Sequence, residues 1–450
     1  MRLKQVIGLM LQDEIEMATV RNHPTDTPSH RVMAYCHDSV GIGHLRRTMS
    51  ICHRLSHDHP DSSSLLATGT PYVPLFDQIP RVDYVKLPAL MKVQSGTYGS
   101  KFLNISLGRL LRCRESMLLR TAEHLDPDVL LVDKAPLGVC RELLPTLQWL
   151  RRHRPRTRII FGMRDIEDAP EATIRQWKRD GVLPVLDECF DEIWVYGMAE
   201  VFNPLVEYRI PSEVGKKVRF MGYVTRGGGS RRSQTEEGFS VQRESSRNGR
   251  RQRPSGKRCS VERGTQRNVL VTVGGGTDGE ALLSTYLAEA AGRVSAMGVT
   301  STVVGGPDLP ATAAKRLRHQ AGRINGVQWV DFEPSMARCI ARARLVVSMG
   351  GYNTLCEIAS QQKPVLVVPR IRPRLEQAIR THRWSKLGGA FLLPPSELTA
   401  STLAARVIDL LEHGPKSLHP DLDLNGLDRV AERFDAFWRK DACHATSVCV

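Results

Sequence analysis

The sequence has no long apolar run, no paired cysteines and no complete dinucleotide fingerprint, and each absence narrows what the chain can be. No stretch approaches the ~18–20 apolar residues that a helix needs to cross a bilayer, so a membrane span is not expected. A short apolar patch at residues 6–11 is followed at once by Asp13, Glu14 and Glu16, which makes a poor secretory signal. Residues 1–30 therefore read as a flexible leader, and the chain as cytoplasmic. The ten cysteines include no Cys-x-x-Cys pair, and no His/Cys group has zinc spacing. Several of them, such as Cys36, Cys140 and Cys356, fall in apolar strand or helix patterns. Reduced, buried thiols are the expectation. Two Asp-x-Asp triplets, Asp126–Asp128 and Asp421–Asp423, sit in turn-like surroundings and read as turn chemistry rather than as a metal clamp.

Acidic residues are outnumbered, and the net charge is +15. Such an excess can mark a nucleic-acid binder. Here residues 226–267 hold twelve Arg and Lys against four Glu, so a net +8 sits in one Gly/Ser/Arg-rich segment. The rest of the chain is only mildly basic, and no nucleic-acid partner is expected. Residues 225–268 hold too few apolar residues to offset chain entropy, and they read as a disordered linker. An RNA-binding arm is the rival reading, and it would bind with strong salt dependence.

With 450 residues the chain is too long for one core, and it should divide into two or three domains. Apolar runs of strand length recur at residues 31–36, 65–67, 82–85, 129–132, 159–161 and 193–195. Helical patterns lie between several of them, at 44–56, 103–124 and 139–152. This is the alternation of a parallel α/β sheet over residues 31–224. The first strand runs into a loop ending Gly41-Ile42-Gly43-His44, with Arg46 and Arg47 just behind. In such a sheet that loop lies at the carboxyl end of the strand, where ligands bind. The charged strand ends Asp133-Lys134 and Arg164-Asp165 should face the same edge.

The grammar repeats in a second domain, 269–425. Residues 269–273 (VLVTV) form a strand that turns through Gly274-Gly275-Gly276-Thr277 into a helix. Further on, residues 345–388 read strand, glycine turn, helix, strand, loop, helix. The turn Ser348-Met349-Gly350-Gly351 lets a ligand approach the backbone, and the helix behind it favours an anion. Residues 426–450 form a final helix and tail.

This second stretch resembles the nucleotide-sugar site of GT-B glycosyltransferases, and most closely glycosyltransferase family 28. The resemblance rests on the Ser348–Gly351 turn, Thr354 with Glu357, the strand ending at Pro369, and Glu376-Gln377 on the next helix. It implies an α/β protein of two Rossmann-like, doubly wound domains facing across a cleft. It further implies transfer of a sugar, with inversion and without a metal, from a nucleoside-diphosphate donor such as a UDP-sugar to a hydroxyl acceptor. That acceptor would be a polysaccharide or a lipid-linked molecule, and peripheral membrane contact would follow. The donor is a substrate, so no cofactor is expected. The donor residues implied are Gly274, Gly275, Gly276, Thr277, Phe332, Gly350, Gly351, Asn353, Thr354, Glu357, Glu376 and Gln377, with Glu357 on the ribose. The family often has two glutamines where this chain has Glu376-Gln377, which weakens the case for an N-acetylglucosamine donor. Gly41, Gly43 and Arg46 would face the acceptor and the phosphates. For the base, a residue that titrates near neutrality is apt, and His44 is the first candidate. Asp133 and Asp165 compete with it, and His44 could equally cap its helix. Rivals at the level of function are a UDP-sugar 2-epimerase on the same fold and a non-catalytic nucleotide-sugar-binding protein.

A first prediction concerns the linker. Replacing residues 226–267 by a short Gly/Ser link should leave the melting temperature nearly unchanged. A fall of more than several degrees in a thermal melt would show that the segment is packed.

Overall fold

The computed structural model describes residues 30–36, 43–76, 78–94, 97–225, 267–333, 335–418 and 420–447. Nearly all of the expected leader, residues 226–266 of the expected linker, and Gly41 lie outside the described residues.

The first domain is built on β1 (Arg31–Cys36), β2 (Ser63–Thr68), β3 (Val82–Lys86), a hairpin of β4 (Leu90–Gln94) and β5 (Thr97–Ser100), then β6 (Val129–Asp133), β7 (Arg158–Arg164), β8 (Glu192–Tyr196) and β9 (Val218–Phe220). Seven of these form one sheet in the order β3-β2-β1-β6-β7-β8-β9, with every pairing parallel. A parallel strand is covered on both faces, so its residues should be continuously apolar rather than alternating. The central strand β6 (VLLVD) is accordingly buried at every position. Helix Gly43–Asp58 covers one face with Leu45, Met49, Cys52 and Leu55.

The second domain holds β10 (Asn268–Thr272), β11 (Thr300–Val304), β12 (Val327–Val330), β13 (Leu345–Ser348), β14 (Val365–Val367) and β15 (Phe391–Leu392), in the order β12-β11-β10-β13-β14-β15, again all parallel. Both sheets reverse direction of growth beside their first strand, at β1/β6 and at β10/β13. Ligands bind at such switch points, outside the carboxyl ends of the strands. The two switch points meet: the Asn353 amide donates to the Gly43 carbonyl at 2.7 Å, joining the helices that start behind β13 and β1.

Some expectations need correction. The helix expected at 103–124 starts at Leu107, where the Ser106 hydroxyl accepts from the Arg109 N–H and caps it. The helix expected at 139–152 is a 3-10 turn at Val139–Arg141 followed by a helix Leu144–His153. Its start is displaced because Gly138, Cys140 and Arg141 all have positive φ, at 71°, 51° and 68°. Cys140 is exposed, not buried, while Cys36 and Cys356 are buried. The hairpin β4/β5 and the short strands β9 and β15 were not anticipated: β4, β5 and β9 lack a continuous apolar run, and β15 is only two residues long.

The last helix, Gly426–Ser447, returns to the first domain. Phe434 is fully buried, with its ring edge-on to Trp194 at 5.6 Å, and Phe437 stacks on the same indole at 6.3 Å. Trp438 stacks on His30 at 4.3 Å, and Arg433 pairs with Glu192. One continuous core therefore contains Val32, Trp194, Leu270, Val346 and Phe434, from both domains and the final helix. Phe434→Ala should cost about 3–5 kcal/mol, the usual loss for emptying a fully buried aromatic site. Urea denaturation followed by tryptophan fluorescence measures it, and a loss under 1 kcal/mol would mean that the helix is not integral to the core.

Candidate active site

The carboxyl edges of the two sheets enclose a cleft of about 260 Å³. On the second-domain side, β10 ends in the turn Gly274–Gly276. Gly276 has φ of 98°, and a Cβ there would lie 2.5 Å from the Gly305 carbonyl oxygen, so only glycine lets the two loops close up. β13 ends in Ser348–Gly351. Gly350 has φ of 80°, and a Cβ there would meet Thr381 Oγ1 at 2.7 Å. Gly351 is the N-cap of helix Tyr352–Ser360, whose first backbone N–H groups have no partner within the helix and favour an anion. Gly274 to Asp278, Ser348, Met349, Gly351, Asn353 and Thr354 all line the cleft.

The third side comes from the segment after β14. Arg370 donates to Asp278 at 2.9 Å and to Glu376 at 2.5 Å. Its backbone N–H donates to the Gln377 side chain at 3.1 Å, so Gln377 fixes the position of Arg370. Burial raises the Glu376 carboxyl, but Arg164, Arg370 and Arg380 outweigh this and hold it below its ordinary range.

The first-domain side carries Gly43, His44, Arg46, Arg47 and Arg164. His44 Nδ1 lies 2.6 Å from Asp133 Oδ2, and Asp133 is 1% exposed. The other Asp133 oxygen accepts from Arg47 Nη2 at 2.6 Å and from Nε at 3.0 Å. The Arg47 guanidinium sits over the Tyr196 ring at 4.9 Å and the Tyr352 ring at 5.2 Å. In the tautomer with hydrogen on Nδ1 the ring donates to Asp133 and Nε2 is the basic nitrogen; Arg47 Nη2 also lies 3.0 Å from Nδ1. Burial lowers the His44 pKa well below its ordinary value, and Lys134, Arg47 and Arg164 lower it further. The direction is physical: Asp133 is already balanced by Arg47, so it does little to hold a proton on the ring. Beside this pair, burial and Arg164 lower Lys134 to about 7, against the pull of Glu167. Burial raises Glu167, but Lys134, Arg164 and Arg374 outweigh it and bring the carboxyl to about 2.

Thus Gly43, His44, Arg46, Gly274, Gly275, Gly276, Thr277, Phe332, Gly351, Asn353, Thr354, Glu376 and Gln377 come together around one cleft. Asp133 stands behind His44 rather than in the lining. Gly350 is buried beneath its turn. Glu357, expected to be partly exposed, is 9% exposed and is not in the lining, one turn beyond Asn353 on the same helix. Asp165 is bound on both oxygens by Arg380 at 2.6 Å, which removes it from the candidates for a base. Arg47, read as an anion contact, is committed to Asp133 instead. Arg370, Asp278, Glu333 and Met336 line the cleft and were not anticipated. Arg370 had a signal, since it directly follows a strand and Pro369, the position that marked Arg164. Among the described residues no group of three or more His, Cys, Asp or Glu side chains is arranged to hold a metal ion.

Residues 269–433 match the glycosyltransferase family 28 C-terminal domain. A curated relative is the UDP-N-acetylglucosamine–N-acetylmuramyl-(pentapeptide) pyrophosphoryl-undecaprenol N-acetylglucosamine transferase of Azotobacter vinelandii, 35% identical over 144 residues, or 28% of this chain and 37% of that protein. The chain thus spans little more than a third of that relative's length. Among solved structures, Acinetobacter baumannii MurG matches 92% of this chain and 100% of its own at TM-score 0.50 and 13% identity. The UDP-GlcNAc 2-epimerase of Methanocaldococcus jannaschii matches 90% and 99% at TM-score 0.55 and 8% identity. Likeness at this level concerns fold, and the fold is GT-B: the first domain completes the frame around the family 28 domain.

The two adjacent glycines of the second turn should respond differently to a methyl group. Gly350→Ala combines a left-handed φ with a clash and should cost roughly 2–4 kcal/mol. Gly351 has φ of −61° and open space around its Cβ position, so Gly351→Ala should stay within about 0.5 kcal/mol. Equal unfolding free energies for the two variants would contradict this geometry.

Proposed function

We propose that the chain transfers a sugar from a nucleoside-diphosphate donor, UDP in the first instance, to an acceptor hydroxyl, with His44 as general base. The observation that carries this reading is the meeting, across one cleft, of a family 28 domain's glycine turns with the His44–Asp133 pair. In this reading the diphosphate rests on the Gly274–Thr277 and Ser348–Gly351 turns and on the helix N-terminus behind the second. Arg46, Arg164 and Arg370 balance the charge that grows on the leaving diphosphate. Phe332 takes the base, and Glu357 keeps the ribose role from behind Asn353 and Thr354. The acceptor oxygen attacks the anomeric carbon as the bond to the diphosphate breaks, and its proton passes to His44 Nε2. Asp133 orients the ring, while Arg47 keeps Asp133 in place. A single displacement of this kind inverts the anomeric centre.

The Azotobacter vinelandii relative is named as a transferase of N-acetylglucosamine to a pyrophosphoryl-undecaprenol acceptor. For this chain the same class of acceptor is supported by a loop with Phe102 67% exposed and Leu103 50% exposed, next to Lys101 and the exposed Arg109 and Arg112. This is the face on which a peripheral membrane contact would lie. Among the described residues no helix is long and apolar enough to cross a membrane. Glu376, standing where the family often has glutamine, points away from N-acetylglucosamine as the sugar.

The test is UDP release from a panel of UDP-sugars with and without acceptors. Release should require the acceptor. His44→Ala should lower kcat by roughly 10²–10⁴-fold and leave the Kd for UDP within about two-fold. The wild-type pH profile carries a sign. A base must be neutral, and a His44 pKa below the ordinary histidine value of about 6.5 keeps it neutral throughout the physiological range. The kcat/KM profile should therefore stay flat as pH falls through 6.5 and drop only below it. An acid limb at or above 6.5, or turnover surviving His44→Ala within ten-fold, removes His44 from the role. Sugar isomerisation without acceptor would establish the 2-epimerase reading instead, and nucleotide binding without turnover the non-catalytic one.

A further inference from the structure

Two residues of the first domain reach the backs of the two glycine turns, each through one intermediary, and neither lines the cleft. Asp165, at the end of β7 and 1% exposed, accepts from Arg380 Nε and Nη2, both at 2.6 Å. Arg380 is fully buried, and its remaining nitrogen, Nη1, donates to the Gly350 carbonyl at 3.2 Å. On the other side of the cleft the Tyr72 hydroxyl donates to Asp308 Oδ1 at 2.7 Å. The Asp308 backbone N–H in turn donates to the Gly275 carbonyl at 2.7 Å. The loop that carries Asp308 is pressed onto that turn: a Cβ on Gly306 would stand 2.5 Å from the Gly274 carbonyl oxygen. The two connections span sequence separations of 215 and 236 residues and end on the two turns of the second domain that face the cleft.

We propose that Asp165 and Tyr72 are positioning residues for the donor. They hold the two glycine turns in the shape that receives a nucleoside diphosphate, so donor affinity is set partly by first-domain residues that do not line the cleft. The inference rests on the nucleotide-sugar reading above and adds to it a dependence on the first domain. Its physical basis is population. A turn that has binding geometry only while tied gives an apparent affinity reduced by the fraction of molecules in which the tie is broken. The coupling is reciprocal, so donor bound at the turns strengthens the hold between the domains. Arg380 carries most of this coupling on its side, because one planar guanidinium serves the Asp165 carboxylate and the Gly350 carbonyl together.

The experiment titrates UDP into the full chain by calorimetry, for wild type, Tyr72→Phe and Asp165→Asn, at a temperature where their circular dichroism spectra coincide. Tyr72→Phe removes one hydroxyl and keeps the ring beneath Lys101, whose Nζ lies 5.9 Å from its centroid, so the fold should survive. It should raise the Kd for UDP about ten-fold, the change expected for losing a hydrogen bond to a carboxylate. Asp165→Asn should raise it at least as much. With a UDP-sugar, KM for the donor should rise while kcat at saturating donor and the acid limb of the pH profile stay in place, since His44 is untouched. If Asp165→Asn fails to fold, Tyr72→Phe alone decides. A lowered melting temperature with UDP affinity within two-fold of wild type would overturn the inference and leave the two residues merely structural. Wild-type protein that binds none of UDP, GDP or dTDP would overturn the donor reading itself, and this inference with it.

Discussion

Charge balance in a buried seam is the constraint on which this structure depends. Two parallel sheets meet at their carboxyl edges, where strands end in charged residues, and the meeting takes those residues out of water. A buried charge without a partner costs several kcal/mol, so each must find its opposite. Asp133 is shared by Arg47 and His44, Glu167 takes Lys134, and Asp165 takes Arg380 from the opposite domain. Such pairs are weak evidence for stability, because desolvation offsets most of their attraction. Their value is geometric. The first two fix side chains within the first domain, and Asp165 with Arg380 sets one domain against the other.

The same balance sets the chemistry available in the cleft. Because Arg47 neutralises Asp133, the carboxylate orients His44 without holding a proton on it. Burial first, and then Lys134, Arg47 and Arg164, lower the pKa of the imidazole, which favours its neutral form. The glycine turns supply backbone N–H groups on the other side, at no cost in charge. A cleft assembled in this way has an imidazole on one wall and glycine turns on the other, and the proposed transfer rests on that opposition.

Much of this was legible in the sequence, and what was not has a physical reason. Continuous apolar runs such as residues 129–132 announce parallel strands, and Gly-Gly turns after them announce the cleft, because those signals are local. The partner of Asp165 lies 215 residues away, and no local pattern names it. The burial of Glu357 was missed because its helix is packed around most of its circumference, with Tyr352, Leu355, Cys356, Ile358 and Ala359 also buried. A helix in solvent would have shown a polar face. The competitors of His44 could not be told apart for a related reason: Asp133 and Asp165 look alike as strand-end acids, and only their partners, Arg47 and Arg380, separate a residue that orients the histidine from one that bridges the domains.

The final helix carries a consequence for the order in which this molecule is assembled. Chains are made from the N-terminus, and domains generally fold as they emerge. Here Trp194, in the middle of the first domain, is covered by Phe434 and Phe437, which follow the whole of the second domain. Until residues 426–438 leave the ribosome, an indole that is fully buried in the finished protein lacks the cover of Phe434 and Phe437. The first domain is thus completed last, by contacts of high sequence separation that close slowly. A ribosome stalled before residue 426 would hold a first domain with the core on one face of its sheet in place and the face that carries Trp194 still lacking Phe434 and Phe437.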